Sequence, residues 1–294
     1  TLASSSIGRS DPPGEPALPQ YHVVEQWGSD AEPAELSIVI PAYDEAQRLP
    51  FALRRLHEAV VDHDWEVILV DDCSTDQTVS VAADLLAEFP RARVLQLDRH
   101  RGKGAAVRAG VAHARGDRIL FMDADMATDL GHLPEMVEAL DQHDVVIGSR
   151  YAPGAVAAGL TPSRDNVSRL FLTMSRNAMG LQLSDFQCGF KGFRAPVARV
   201  VFHLLKEQGW AFDVELLALA NAAGADIEEM PVRWSSVQGS HIRIVSDSAR
   251  MVRDLGRIAR NFGRSNAVYL LQLQAEAQPF VVNKTYVIVL RKSA

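Results

Sequence analysis

Cysteine is nearly absent from this chain: two occur in 294 residues, Cys73 and Cys188, far apart in sequence. Neither has a neighbour at metal-ligand spacing, which excludes a disulfide framework and points to a reducing, cytoplasmic setting. Basic residues are also in short supply. Thirty stand against 37 acidic ones, a net charge of −7, and that balance argues against a general nucleic-acid binder. No stretch reaches the roughly 18 consecutive apolar residues of a membrane span, and no charged-then-apolar leader pattern opens the chain. The Gly-x-x-x-x-Gly-Lys-Ser/Thr spacing of P-loop proteins is missing as well.

What is present is a substantial core, with 47% of residues hydrophobic, arranged as short apolar runs alternating with amphipathic ones. Strands are expected at 36–40, 67–70, 93–97, 118–122 and 145–147, with helices between them near 49–62, 103–114 and 132–141. That alternation predicts a mostly parallel sheet covered by helices on both faces. Residues 1–34, rich in Ser, Pro, Gly and Ala, read as a flexible tail. The second half is less regular, with helices expected near 165–180 and 195–206 and a further strand within 226–234. No linker divides 35–264, which is read as one domain, and 265–294 is an extension to which the sequence assigns no role.

The run Arg118-Ile119-Leu120-Phe121-Met122 ends on Asp123-Ala124-Asp125. Asp-x-Asp at a strand tip aims two hard oxygen ligands at one divalent cation, and Mg²⁺ takes one or two carboxylates with phosphates completing its shell. Val67-Ile68-Leu69-Val70 likewise ends in Asp71-Asp72, and the third strand leads into Gly102-Lys103-Gly104. In a parallel sheet these groups share the edge where ligands bind. Lys103 suits a phosphate, although Gly-Lys-Gly also suits an ordinary strand-to-helix turn.

In order, Pro41-Ala42-Tyr43-Asp44-Glu45, Asp71-Asp72-Cys73-Ser74-Thr75-Asp76, Gly102-Lys103-Gly104, Asp123-Ala124-Asp125 and Gly148-Ser149-Arg150 resemble the motifs of family 2 glycosyltransferases of the GT-A fold. Asp185-Phe186-Gln187-Cys188-Gly189-Phe190-Lys191 and Trp210-Ala211-Phe212-Asp213-Val214-Glu215 narrow the likeness to dolichyl-phosphate β-glucosyltransferases and their bacterial polyprenyl-phosphate relatives. The resemblance implies a Rossmann-like α/β fold. It implies inverting transfer of a sugar, glucose first, from a UDP-sugar to a polyprenyl phosphate. Pro41, Ala42, Tyr43, Glu45, Val70, Asp72, Lys103 and Ala124 would then surround the nucleotide-sugar. Asp123 and Asp125 would hold Mg²⁺ or Mn²⁺, and Arg150, Arg164, Lys191 and His241 would meet phosphates. Asp185 and Asp213 are the candidates for orienting or deprotonating the acceptor, Asp213 being equally readable as a helix N-cap.

Two departures stand out. His241 occupies a place where relatives often carry lysine, and Ala127 one where mannose-transferring relatives carry a metal-contacting glutamine. A soluble acceptor, or a UDP-N-acetylhexosamine or GDP-mannose donor, remains an alternative; a non-enzymatic nucleotide-binding role conflicts with the intact aspartate pair. Between Arg243 and Arg264, six arginines and two aspartates give a local charge of +4, with apolar residues at helical spacing. Such a helix either lies on an anionic membrane at its inner face or packs with a solvated basic rim.

Overall fold

The computed structural model describes residues 18–28, 33–236 and 250–262. Eight strands form the central sheet: β1 (Tyr21–Trp27), β2 (Leu36–Ala42), β3 (Trp65–Asp71), β4 (Ala92–Leu97), β5 (Arg118–Met122), β6 (Val145–Ser149), β8 (Phe190–Arg194) and β9 (Ile227–Pro231). Their order across the sheet is β1-β4-β3-β2-β5-β8-β6-β9. A small two-stranded sheet pairs β7 (Val156–Ala158) with β10 (Arg233–Ser235). The neighbours β4/β3, β3/β2, β2/β5 and β6/β9 run parallel, whereas β8 runs antiparallel to both β5 and β6.

Parallel strands buried on both faces need apolar side chains in both directions. Along β5, Ile119 and Phe121 face one core while Leu120 and Met122 face the other. The second of these is capped by α1 (Leu49–Val60), α2 (Thr78–Leu86) and α4 (Leu133–Gln142); the first by α3 (Lys103–His113), α6 (Ala195–Leu204) and α7 (Phe212–Ala222). Helix α3 lies so close to the sheet that a Cβ on Gly110 would sit 2.3 Å from a Val39 methyl. This explains its Ala/Gly composition. Helix α5 (Pro162–Met179) and a last helix, α8 (residues 250–262), pack on the same side through Phe171, Leu255, Met251 and Phe262.

Two expectations need correction. The tail assigned to 1–34 contains β1, which adds antiparallel to the sheet edge with a bulge between Val23 and Glu25. Asp213 is not a helix N-cap: Ala211 holds that position without a side-chain cap, and Asp213 lies inside the first turn of α7. The proposed extension 265–294 lies outside the described residues, as do 1–17 and His241.

Candidate active site

The parallel strands β2, β3 and β5 bring their carboxyl ends to one edge; from β2 the chain runs outward through β3 to β4 and then crosses to β5 on the other side of β2. Such a switch point leaves a crevice with no crossing connection. The Asp71-Asp72 tip and the Asp123-Ala124-Asp125 tip both end at this edge, the first pair buried and the second partly exposed.

Asp71 is buried and structural. It accepts from the Ser74 amide, the Ser74 hydroxyl and, at 3.0 Å, the Gln96 side-chain amide. Asp72 accepts the Arg101 and Gly102 amides at 2.8 and 2.7 Å and pairs with His100 Nδ1 at 3.0 Å. Burial raises its pKa, and those amides pull it partly back. Asp72 therefore fixes the loop that delivers His100 and the start of α3, and does so from a nearly inaccessible position. His100, which the sequence reading missed, is open to solvent and its ring lies tilted at 41° against Tyr43 with centroids 4.2 Å apart. The two rings form an aromatic ledge at the β2/β3 side of the crevice.

Several sequence-derived candidates do not reach this ledge with their side chains. Val70 is fully buried and sits under α3, and Ala42 and Ala124 belong to the opposite core. Pro41 is partly exposed at the end of β2, and Glu45 is bound through both oxygens to Arg48 at 2.5 Å.

Asp123 is the most accessible carboxylate of the tip, its side chain 38% exposed. Its amide donates to the Gly189 carbonyl at 3.0 Å, and Gly189 leaves it room: a Cβ there would lie 2.0 Å from Asp123 Oδ2. Asp125 accepts the Ala127 amide at 3.1 Å, with Met126 between them in the left-handed region at φ 47°. Burial and the Asp123 charge push the Asp125 carboxyl above its ordinary value. A carboxylate whose ionised form is made costlier by burial and a neighbouring charge is relieved by a cation, and hard oxygen donors suit Mg²⁺ or Mn²⁺. Among the described residues no third His, Cys, Asp or Glu joins them. The residues thus fit an ion held by two carboxylates, with the rest of its shell supplied by phosphate oxygens and water.

Lys103 Nζ lies 2.6 Å from Asp123 Oδ1, its side chain between the rings of Trp210 and Phe212. The glycines beside it do not cradle a phosphate, because the Gln208 carbonyl already accepts the Gly104 and Ala105 amides. Behind this rim stand two buried pairs. Lys191 Nζ donates to Asp213 Oδ1 and to the Cys188 carbonyl, both at 2.6 Å, with the Lys191 side chain wholly inaccessible. Arg150 makes a two-pronged pair with Asp185 at 2.7 and 3.0 Å, its guanidinium flanked by the Tyr151 and Trp234 rings. The Gln187, Cys188 and Arg150 amides complete the acceptor shell of Asp185.

In this conformation three of the expected residues are engaged by protein partners. Lys191 has no path to a phosphate in this conformation. Asp185 is fully engaged, and although burial alone would raise it, Arg150 holds its carboxyl below the ordinary value, so it is a poor proton acceptor. Arg150, expected at a phosphate, is spent on Asp185. Asp213 keeps a raised carboxyl pKa through burial, partly offset by Lys191 and Lys103. Arg164 lies on α5, but its side chain is outside what the structure describes.

A model of glycosyl transferase family 2 matches residues 37–202. The chain is 33% identical over 247 residues to the dolichyl-phosphate β-glucosyltransferase of Saccharomyces cerevisiae, covering 76% of this chain and 74% of that protein. It is 35% identical over 234 residues to the Drosophila melanogaster protein of the same name, covering 72% and 71%. Among solved structures, glucosyl-3-phosphoglycerate synthase of Mycobacterium tuberculosis, in complex with Mn²⁺, UDP-glucose and phosphoglyceric acid, superposes with a TM-score of 0.56 at 19% identity over 77% of this chain and 80% of that one. The switch-point crevice, its paired aspartates and these likenesses agree, and the chain belongs to glycosyltransferase family 2, with the GT-A fold.

Proposed function

We propose that this glycosyltransferase moves glucose from UDP-glucose to a polyprenyl phosphate, with inversion at the anomeric carbon, at the cytoplasmic face of a membrane. The observation that carries the reading is the accessible Asp123 beside the half-buried, charge-burdened Asp125 at the switch point. The one-third identity to two dolichyl-phosphate β-glucosyltransferases supports the glucosyl group and the lipid-phosphate acceptor.

Asp123 and Asp125 would hold Mg²⁺ or Mn²⁺, which when bound stabilises the charge growing on the departing nucleoside diphosphate. The Tyr43–His100 ledge takes the base, and Trp210, at 40% exposure beside Lys103, walls the side nearest the sugar. An acceptor phosphate oxygen attacks the anomeric carbon as the bond to the β-phosphate oxygen breaks, in one displacement. The acceptor is already ionised near neutral pH, so no strong base is needed. That agrees with an Asp185 locked to Arg150 and an Asp213 locked to Lys191: both shape the wall against which the acceptor lies.

Among the described residues no helix is long and apolar enough to cross a membrane. Helix α8 turns Met251, Leu255, Ile258 and Phe262 onto the protein, so insertion of its apolar face is not the mode of contact. Its outer face carries Arg250, Arg253, Arg257 and Arg260, all exposed. An arginine stripe attracts anionic headgroups electrostatically, by about 1 kcal/mol for each residue near the surface. Flotation with anionic vesicles but not with neutral ones is expected; equal flotation in both removes the electrostatic contact.

The test of function is a panel of UDP- and GDP-sugars with a short polyprenyl phosphate and Mg²⁺, run with and without chelator. Turnover is expected with UDP-glucose and lost with chelator. Turnover on a soluble phosphorylated acceptor but not on the lipid phosphate would replace this reading.

A further inference from the structure

Lys103 makes an ion pair with the very carboxylate that should receive the metal, and its surroundings show what that pairing does. Within Gly102-Lys103-Gly104, Asp72 accepts the Gly102 amide and the Gln208 carbonyl accepts the Gly104 amide, with Gly102 at φ 112° starting the helix. The Lys103 ammonium is held against Asp123 at the crevice. The other cations of the wall are committed elsewhere, Lys191 to Asp213 and Arg150 to Asp185, while Arg48 is bound to Glu45. Without an ion, the repulsion between Asp123 and Asp125 is therefore balanced chiefly by Lys103.

We propose that Lys103 is a placeholder cation: it holds Asp123 in the nucleotide-free protein and yields it to a divalent ion only when a diphosphate arrives to take up the displaced ammonium. The proposal rests on the metal reading above. A metal ion alone must evict an ammonium that is 10% exposed and lies between two aromatic rings. It would leave that ammonium without a partner in a poorly solvated place, which is costly. A nucleoside diphosphate supplies the new partner, so each ligand lowers the cost of binding the other. Coupling of this kind is reciprocal by linkage. The device makes metal and nucleotide enter together and keeps free divalent ions off the empty enzyme.

The test measures binding and needs no turnover. Free Mn²⁺ is followed by electron paramagnetic resonance during titration of the full chain, with and without UDP and against a protein-free UDP blank. The wild type, Lys103→Met, Lys103→Gln and Asp125→Ala are compared. For the wild type, Mn²⁺ alone binds weakly and UDP strengthens it about 100-fold; removing the lysine charge tightens Mn²⁺ alone about tenfold and shrinks the UDP effect by a similar factor. Lys103→Gln serves if Lys103→Met melts early. If both neutral variants bind Mn²⁺ alone no better than the wild type, the placeholder role is overturned while UDP-dependent binding by the wild type preserves the metal site. If the wild type with UDP binds no more Mn²⁺ than Asp125→Ala does, the metal reading fails and the placeholder fails with it.

Discussion

The rim pair Lys103–Asp123 and the wall pair Lys191–Asp213 are the same chemistry at the same separation, 2.6 Å, on neighbouring elements of one crevice. They differ in access. Asp123 is 38% exposed and Lys103 10%, against 4% for Asp213 and none for Lys191. Arg150–Asp185, at 11% and 3%, sides with the wall. A pair that water can reach is exchangeable, because either partner can be solvated or recruited by an ion. A pair that water cannot reach is fixed, because neither charge survives alone at low dielectric. The crevice therefore has a movable ionic rim standing on an immovable ionic wall, and each pair's burial assigns its job.

The largest expected effect separates the two by stability. Lys191→Met strands the buried Asp213 charge and should lower unfolding free energy by about 3–5 kcal/mol, read by urea denaturation. Lys103→Met should change it by less than about 1 kcal/mol, the range of pairs with a solvated partner. Comparable losses would erase the distinction between rim and wall.

Activity should rank them the other way. Asp125→Ala removes one of two ion ligands and should lower turnover about 10²–10³-fold, the several kcal/mol a metal contributes to charge stabilisation. Its denaturation midpoint should stay near the wild type, because the residue lies at a strand tip rather than among apolar side chains. Retained turnover at saturating Mg²⁺ would show that the ion is held elsewhere.

A smaller effect tests the aromatic ledge. His100→Ala leaves Tyr43 without its neighbouring ring and should raise the nucleotide-sugar KM about tenfold with kcat little changed, the scale of one base–aromatic contact. A fall in kcat with KM constant would move the histidine from base recognition to the reacting centre.

The same contrast explains what was readable from sequence. The strand tips were legible because the continuous apolar runs stop at Asp71-Asp72 and at Asp123, and parallel topology then sends both strand ends to one edge, although Asp72 is buried there by its amide donors. Strand β1 was hidden because it lies on the sheet edge with no fully buried residue, so Tyr21–Trp27 lacks the signal of a core strand. Strand β8 was hidden by Lys191: a lysine within Phe190-Lys191-Gly192-Phe193 reads as polar surface, yet its side chain is wholly buried. Its partner, Asp213, satisfied a local capping pattern, and a contact 22 residues away overrode it. Whether a charge belongs to rim or wall is set by pairs distant in sequence, which no local pattern encodes. His100 carried one weak signal, its place in the loop that leads into the Gly-Lys-Gly turn.

The finest test is the pH dependence of folding, where two wall aspartates should act with opposite sign. Asp185 has a folded pKa below its ordinary 3.8, because Arg150 outweighs burial. Its contribution is present above pH 3.8 and fades as pH falls through the lower folded value. Asp213 has a folded pKa above 3.8, because burial outweighs Lys191 and Lys103. The folded state holds its proton more tightly, so that contribution is present below 3.8 and fades as pH rises through the folded value. Asp185→Asn should therefore flatten the acid limb of stability below pH 3.8, and Asp213→Asn should steepen the gain in stability on rising from 3.8. Denaturant midpoints between about pH 2.5 and 6 would register both. Parallel shifts in the two variants would mean that Lys191 overcomes the burial of Asp213, and the two wall pairs would then be electrostatic equivalents.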